Sequence, residues 1–194
     1  MTGRPKQDII LAGVGGQGIL SIAFIIDSAA LKDGFDIKQA EVHGMAQRGG
    51  AVQSHLRLSK NKIWSDLIPR GEADLLLSVE PLEALRYVEY LRPDGRIVTS
   101  SVPYANIPDY PEIGMVLDRI RKIEGSVIVD SESLAKEAGS NRTQNTVMLG
   151  AAARYLIVEE DSLLEFIRVL FEPKGDKVLG PNLKAFELGR KAAG

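Results

Sequence analysis

Six residues near the start of the chain, Gly13-Val14-Gly15-Gly16-Gln17-Gly18, match the spacing G-x-G-x-x-G. Between a strand and a helix, such a run allows a sharp turn and close approach of a ligand. The helix that follows presents unpaired N–H groups and a partial positive charge to an anion. The residues leave three readings open: a dinucleotide, another phosphate-bearing ligand, or tight packing of strand against helix. A dinucleotide asks for an acid at the end of the second strand, where the ribose hydroxyls lie. Asp36 falls at the start of that strand and Glu41 at its end. A second concentration of polar groups is His43-Gly44-Met45-Ala46-Gln47-Arg48-Gly49-Gly50. Its three glycines make the backbone permissive. Arg48 is a bidentate donor suited to carboxylate or phosphate, and His43 and Gln47 add donors or acceptors. The plainer alternative is a solvated loop.

Other polar groups have structural readings. Gln53, His55 and Arg57 share one face of a strand, expected to be a solvated sheet face. Asn141 to Asn145 and Asn182 are expected to cap helices. Glu80, Glu83 and Glu89 are expected to form a solvated helix face. No nucleophile–base pair and no P-loop occurs, so no catalytic residue is assigned. The chain has no cysteine, which excludes disulfides, thiolate nucleophiles and ligation of zinc or iron–sulfur clusters by cysteine. With His43 and His55 the only histidines, no metal site is expected. Any electron carrier must be a bound cofactor or belong to another chain.

The elements that must position these residues alternate. Asp8 to Ala12 is an apolar run before the glycine loop, and Gln17 to Lys32 is a helix with little polar surface. Phe35 to Glu41 is a second strand. Ala51 to Leu58 has period two, with Lys60-Asn61 a turn into Ile63-Trp64, which predicts an antiparallel hairpin. Ala73 to Val79 is continuously apolar, as in a strand covered on both faces. Glu80-Pro81 opens a helix running to about Leu91. Arg96 to Ser100 and Ser126 to Asp130 are strands, and a helix capped by Asp130 or Ser131 ends at Gly139. Tyr104 to Pro111 is a surface loop. Three helices close the chain, over 142–158, 161–171 and 182–192. The whole is an α/β, Rossmann-like fold, a single domain over residues 1–194, with a mostly parallel sheet, an inserted antiparallel hairpin and C-terminal helices.

Length and charge narrow the function. The 194 residues carry 24 Lys+Arg against 26 Asp+Glu, a net charge of −2. That balance speaks against nucleic acid as a partner, and 44% hydrophobic residues speak against disorder. The uncharged run from Ile9 to Ile26 mimics a signal peptide or short span. Its central glycines and Gln17 fit strand, turn and helix better, so a cytoplasmic protein without a membrane anchor is expected.

Taken together, several segments resemble one family. They are Asp8 to Gly18, His43 to Gly50 with Ser54-His55-Leu56-Arg57, Gly71-Glu72-Ala73-Asp74, Glu80 to Ala84, Asn145 with Gly150, and Asn182 with Ala185, Phe186 and Gly189. The chain is similar to the gamma-type domain of 2-oxoacid:ferredoxin oxidoreductases over nearly its whole length, and the form of the His43–Gly50 loop points to the arylpyruvate branch. The resemblance implies oxidative decarboxylation of a 2-oxoacid to acyl-CoA and CO2, with ferredoxin taking the electrons. It implies thiamine diphosphate and iron–sulfur clusters on a large (alpha) partner subunit, and CoA as co-substrate. This chain would then be inactive alone, supplying an anion-binding turn at Gly13, Gly15, Gly16, Gln17 and Gly18. Its loop of His43, Gln47, Arg48, Gly49 and Gly50 would face the active site. Two other classes stay open: a free-standing NAD(P)-binding dehydrogenase and a ligand-binding module without turnover.

Overall fold

The computed structural model describes residues 6–43, 49–105 and 107–194. β1 (Lys6–Val14) is buried along nearly its whole length, and its alternate side chains serve two cores. Ile9 and Leu11 face one side of the sheet, Ile10 and Ala12 the other. A strand covered on both faces has no polar side to show, which is why its sequence does not alternate in polarity. α1 (Ile19–Lys32) follows the glycine turn and leads to β2 (Asp36–His43).

β3 (Ala51–Ser59) then returns antiparallel to β2 and inserts between β2 and β1, pairing with both. β4 (Ala73–Ser78), β5 (Leu91–Ser100) and β6 (Val127–Val129) extend the sheet in parallel on the other side of β1. The order is β2-β3-β1-β4-β5-β6. The hairpin expected from the sequence is present, but its arms are β2 and β3. Ile63 and Trp64 form no strand; the Ile63 N–H donates instead to the Asp36 carboxylate at 2.8 Å.

One face of the sheet is covered by α2 (Pro81–Arg86) and α3 (Ile113–Arg121), the latter an element the sequence reading did not anticipate. The other face carries α1 with α5 (Gln144–Ala153), α6 (Glu160–Phe171) and α7 (Asp176–Ala192). α4 (Ser131–Ala138) starts on an Asp130 cap and ends at Gly139, as its flanking residues predicted. α2 stops at Arg86, and β5 begins at Leu91 rather than Arg96. α7 runs through Pro181, where a helix start at Asn182 had been expected.

α5 and α7 cross in unusually close contact. A Cβ at Gly150 would collide with the Phe186 carbonyl, and one at Gly189 with the Val147 carbonyl. Two glycines, one on each helix, let the backbones meet. The Thr146 hydroxyl adds a 2.6 Å hydrogen bond to Asn182 Oδ1 across the same crossing.

Candidate functional site

The site lies at the carboxyl edge of β1 and β2. In a Rossmann-like sheet this edge is where ligands bind. The turn after β1 is closed from within: Val14 N–H donates to Gln17 Oε1 at 2.7 Å, and Gln17 N–H donates back to the Val14 carbonyl at 3.0 Å. Gln17 therefore holds the turn through its side chain. Gly15 is engaged as well. Its N–H donates to the Gly50 carbonyl at 2.8 Å, and its carbonyl accepts from Gly49 N–H at 3.3 Å.

The two loops singled out from the sequence therefore meet backbone to backbone. The reason is topological: β2 is parallel to β1, so the segment leaving β2 emerges beside the glycine turn, and β3 carries it back along β1. Gln47, Arg48 and the side chain of His43 lie outside the described residues.

This meeting uses two of the N–H groups expected to face an anion. Gly15 and Gln17 donate internally. The N–H groups of Gly16 and Gly18 find no acceptor among the described residues. Gly18 is the N-cap of α1 with φ +81°, a left-handed conformation. A Cβ there would also lie 2.5 Å from Asn145 Nδ2. Asn145 itself is buried and donates to the Gly18 carbonyl at 3.4 Å. It was expected to cap a helix; it instead packs against the glycine turn, brought there by the α5–α7 crossing.

The neighbouring strand adds a carboxylate. Glu80 follows β4, where Val79 N–H donates to the Ala12 carbonyl at 3.0 Å. Glu80 is 1% exposed and Glu83 4%, so the expected solvated face is in fact buried; of the three acids, Glu89 is the exposed one, paired with Arg70. Glu80 Oε2 caps α2 through Glu83 N–H at 2.8 Å, while Oε1 accepts from Tyr104 N–H and from the Tyr110 hydroxyl. Burial raises the Glu83 carboxyl above its ordinary range; Arg86 opposes this and the Glu80 charge adds to it. Burial and the Glu80 carboxylate likewise raise the Tyr110 hydroxyl.

Gln53, His55 and Arg57 also depart from expectation. They do share one face, but the segment after β3 folds back over it. His55 is 3% exposed, beneath Ile68 and edge-on to Tyr90 at 5.3 Å between ring centroids. Ile68 N–H donates to Nδ1 at 3.0 Å. A neutral imidazole accepting there carries its hydrogen on Nε2, which lies 2.8 Å from Gln53 Nε2, so the Gln53 amide is assigned the other way round, with its oxygen toward that hydrogen. Burial, then the Arg57 charge, lower the His55 pKa, with Asp8 opposing. Arg57 grips the buried Asp8 at 2.9 and 3.1 Å. Asn182 is no cap either: it sits inside α7, 4% exposed, accepting from Thr146 and donating to the Val178 carbonyl. No described helix is long and apolar enough to cross a membrane.

Known proteins are similar to this chain in sequence and fold. The indolepyruvate oxidoreductase subunit IorB of Thermococcus kodakarensis is 38% identical over 200 residues, spanning 97% of this chain and 96% of that protein. A 2-oxoglutarate:ferredoxin oxidoreductase from Magnetococcus marinus, solved with 2-oxoglutarate, coenzyme A and succinyl-CoA bound, matches with a TM-score of 0.76 at 25% identity. That match covers 98% of this chain and 31% of the other. The pyruvate oxidoreductase subunit PORC of Thermotoga maritima has the same fold, with a TM-score of 0.72 at 23% identity over 97% of each chain. The model of the pyruvate ferredoxin/flavodoxin oxidoreductase family matches residues 8–192. The paired glycine loops at the carboxyl edge are thus the edge of a family domain, and the chain belongs to the pyruvate ferredoxin/flavodoxin oxidoreductase family.

Proposed function

We propose that this chain is the small (beta) subunit of an indolepyruvate:ferredoxin oxidoreductase, a cytoplasmic complex converting aryl pyruvates and CoA to acyl-CoA and CO2. The observation that carries the reading is the bond pair joining Gly15 to Gly49 and Gly50, within a chain 38% identical to an IorB subunit along almost its full length. The chain acts as one domain over residues 1–194 and turns nothing over alone.

The donor set fits that division of labour. Without cysteine the chain holds no iron–sulfur cluster through thiolates, which agrees with clusters on the large (alpha) subunit that pass electrons to ferredoxin. Thiamine diphosphate, also on the large subunit, supplies the electron sink for decarboxylation. What this chain contributes is position and charge. The N–H groups of Gly16 and Gly18 and the first turn of α1 offer donors and a partial positive charge to a CoA or substrate anion. Gln17 keeps the turn closed, and Gly13 starts it. His43, Gln47, Arg48, Gly49 and Gly50 form the loop that faces the partner's reacting centre, with Arg48 as its cationic donor.

The dehydrogenase reading loses one of its two candidate acids. Asp36 lies at the amino end of β2, away from the glycine turn, with its carboxylate committed to Ile63 N–H.

Co-expression with the large subunit tests the assignment. The assembled pair should reduce a low-potential dye with indolepyruvate only when CoA is present, and each chain alone should not. Saturable NAD(H) binding by the isolated chain, with no activity on assembly, would favour the dehydrogenase reading.

A further inference from the structure

A cavity of about 510 Å³ opens between the segment preceding α5 and the start of α7. Its wall includes Arg142, Lys174 and Lys177, together with Ser140 and the apolar Phe171 and Val178. None of its lining residues is acidic. Several cations of this chain are matched: Lys32 with Glu165, Lys136 with Glu132, Arg190 with Glu160. Arg142, Lys174 and Lys177 have no ion-pair partner among the described residues. Three unmatched charges thus converge on one concavity of a chain whose net charge is −2. The cavity lined by Asp74, Asp94, Arg96 and Arg154, by contrast, balances its signs.

The polar neighbours sharpen the preference. The Ser140 hydroxyl accepts from Arg142 N–H at 3.3 Å, which leaves its own O–H to donate. Lys174 stands over the Phe171 ring, 5.1 Å from its centroid, so charge and apolar surface lie side by side. The volume falls in the range of small-molecule sites. Donors without an acceptor, three charges and an aromatic wall suit a dianionic phosphate on a compact organic body.

We propose that this cavity binds a small organic phosphate, its phosphoryl oxygens on Arg142, Lys174 and Lys177 and its organic body against Phe171 and Val178. Nothing in this inference requires the large subunit, so it stands or falls apart from the assignment above. A free nucleotide and the 3′-phosphate of coenzyme A offer the same phosphomonoester chemistry.

Calorimetric titration of the whole isolated chain tests it, with 5′-AMP, CoA, dephospho-CoA and inorganic phosphate as separate probes. Saturable binding of 5′-AMP or CoA, tighter than that of inorganic phosphate, is expected. CoA binding that dephospho-CoA does not reproduce names the coenzyme as the source; 5′-AMP binding names a free nucleotide. K174Q/K177Q should bind roughly tenfold or more weakly, the scale of a lost charge-assisted hydrogen bond. K122Q removes a charge elsewhere and should bind as the parent does. R142Q is the second variant, should the double one unfold below the parent's midpoint. Absence of saturable binding by any organic phosphate, equal affinity for inorganic phosphate, or unchanged affinity in folded K174Q/K177Q or R142Q would overturn the proposal.

Discussion

Gly15 donates its N–H to the Gly50 carbonyl at 2.8 Å, joining the turn after β1 to the entry of β3. The bond exists because β3 inserts beside β1, so the far end of the β2–β3 connection is a ladder neighbour of the glycine turn. The consequence is functional: a displacement of either loop is felt at once by the other.

Gly18→Ala should destabilise the chain through two separable causes. The left-handed φ costs a residue with a Cβ about 1–2 kcal/mol, and the new methyl would meet Asn145 Nδ2 at 2.5 Å. In a double-mutant cycle followed by urea unfolding, Asn145→Ala should recover the collision and leave the φ cost. Full additivity of the two substitutions would show that Asn145 does not press on the turn.

Gly189→Ala should be more damaging, because the atom it meets is the Val147 backbone carbonyl rather than a side chain. Helices α5 and α7 must separate, at a cost of about 3 kcal/mol. Asn145 then leaves Gly18, so amide exchange at Ser21 and Ile22, which donate to the Gly18 carbonyl, should quicken more than exchange in β4. Equal changes in both places would remove the link between the crossing and the turn.

The parts of this fold legible in the sequence are those decided locally. The Asp130 cap, the Gly139 stop and the doubly covered β1 and β4 depend on neighbours in the chain. Exposure is not legible where a distant segment decides it. His55 has the period of a strand face, but whether water reaches that face depends on Ile68 folding over it. Glu80 looked solvated because the Tyr104–Tyr110 segment that seals it lies more than twenty residues on. Asn182 looked like a cap because Gly180-Pro181 has the chemistry of a helix break, yet α7 continues through it. That the two loops share the carboxyl edge follows from each coming after a strand of a doubly wound sheet; Asn145's role does not, since it depends on two glycines that let α5 approach α7.

Asp27 should make stability fall as pH rises. It is 7% exposed, its Oδ1 is enclosed without a hydrogen-bond partner, and burial pushes its pKa up to about 7. Between the ordinary value of 3.8 and about 7 the folded chain holds a proton that the unfolded chain has released, so the penalty grows across that window and is complete above it. Asp27→Asn should therefore unfold later than the parent at pH 8, and the two midpoints should converge near pH 4. Parallel midpoint curves would show that Asp27 is ionised in the folded chain throughout.

His55 has the opposite sign. Its folded pKa lies below 6.5, so as pH falls past 6.5 the unfolded chain gains a proton that the folded chain refuses, and stability is lost down to the folded value. His55→Leu removes that slope but strands the Ile68 N–H, at about 1–3 kcal/mol. The variant should be weaker at pH 8 yet flatter between pH 6.5 and 5. A slope unchanged by the substitution would assign the acid sensitivity to other groups.

Arg48 is adjacent in sequence to Gly49, whose N–H donates to the Gly15 carbonyl, and it is the loop's sole cation. If it meets a CoA or substrate anion in the assembled complex, Arg48→Ala should raise the KM for that ligand by roughly tenfold or more, the scale of a charge-assisted hydrogen bond. Arg48→Lys keeps the charge and loses the two-pronged donor, so it should recover part of the affinity. Thermal midpoints of the isolated chains should agree, since the Gly15–Gly50 bond is made by backbone alone. Steady-state constants for R48A equal to those of the parent complex would take Arg48 out of the site and leave the glycine turn as this chain's contribution.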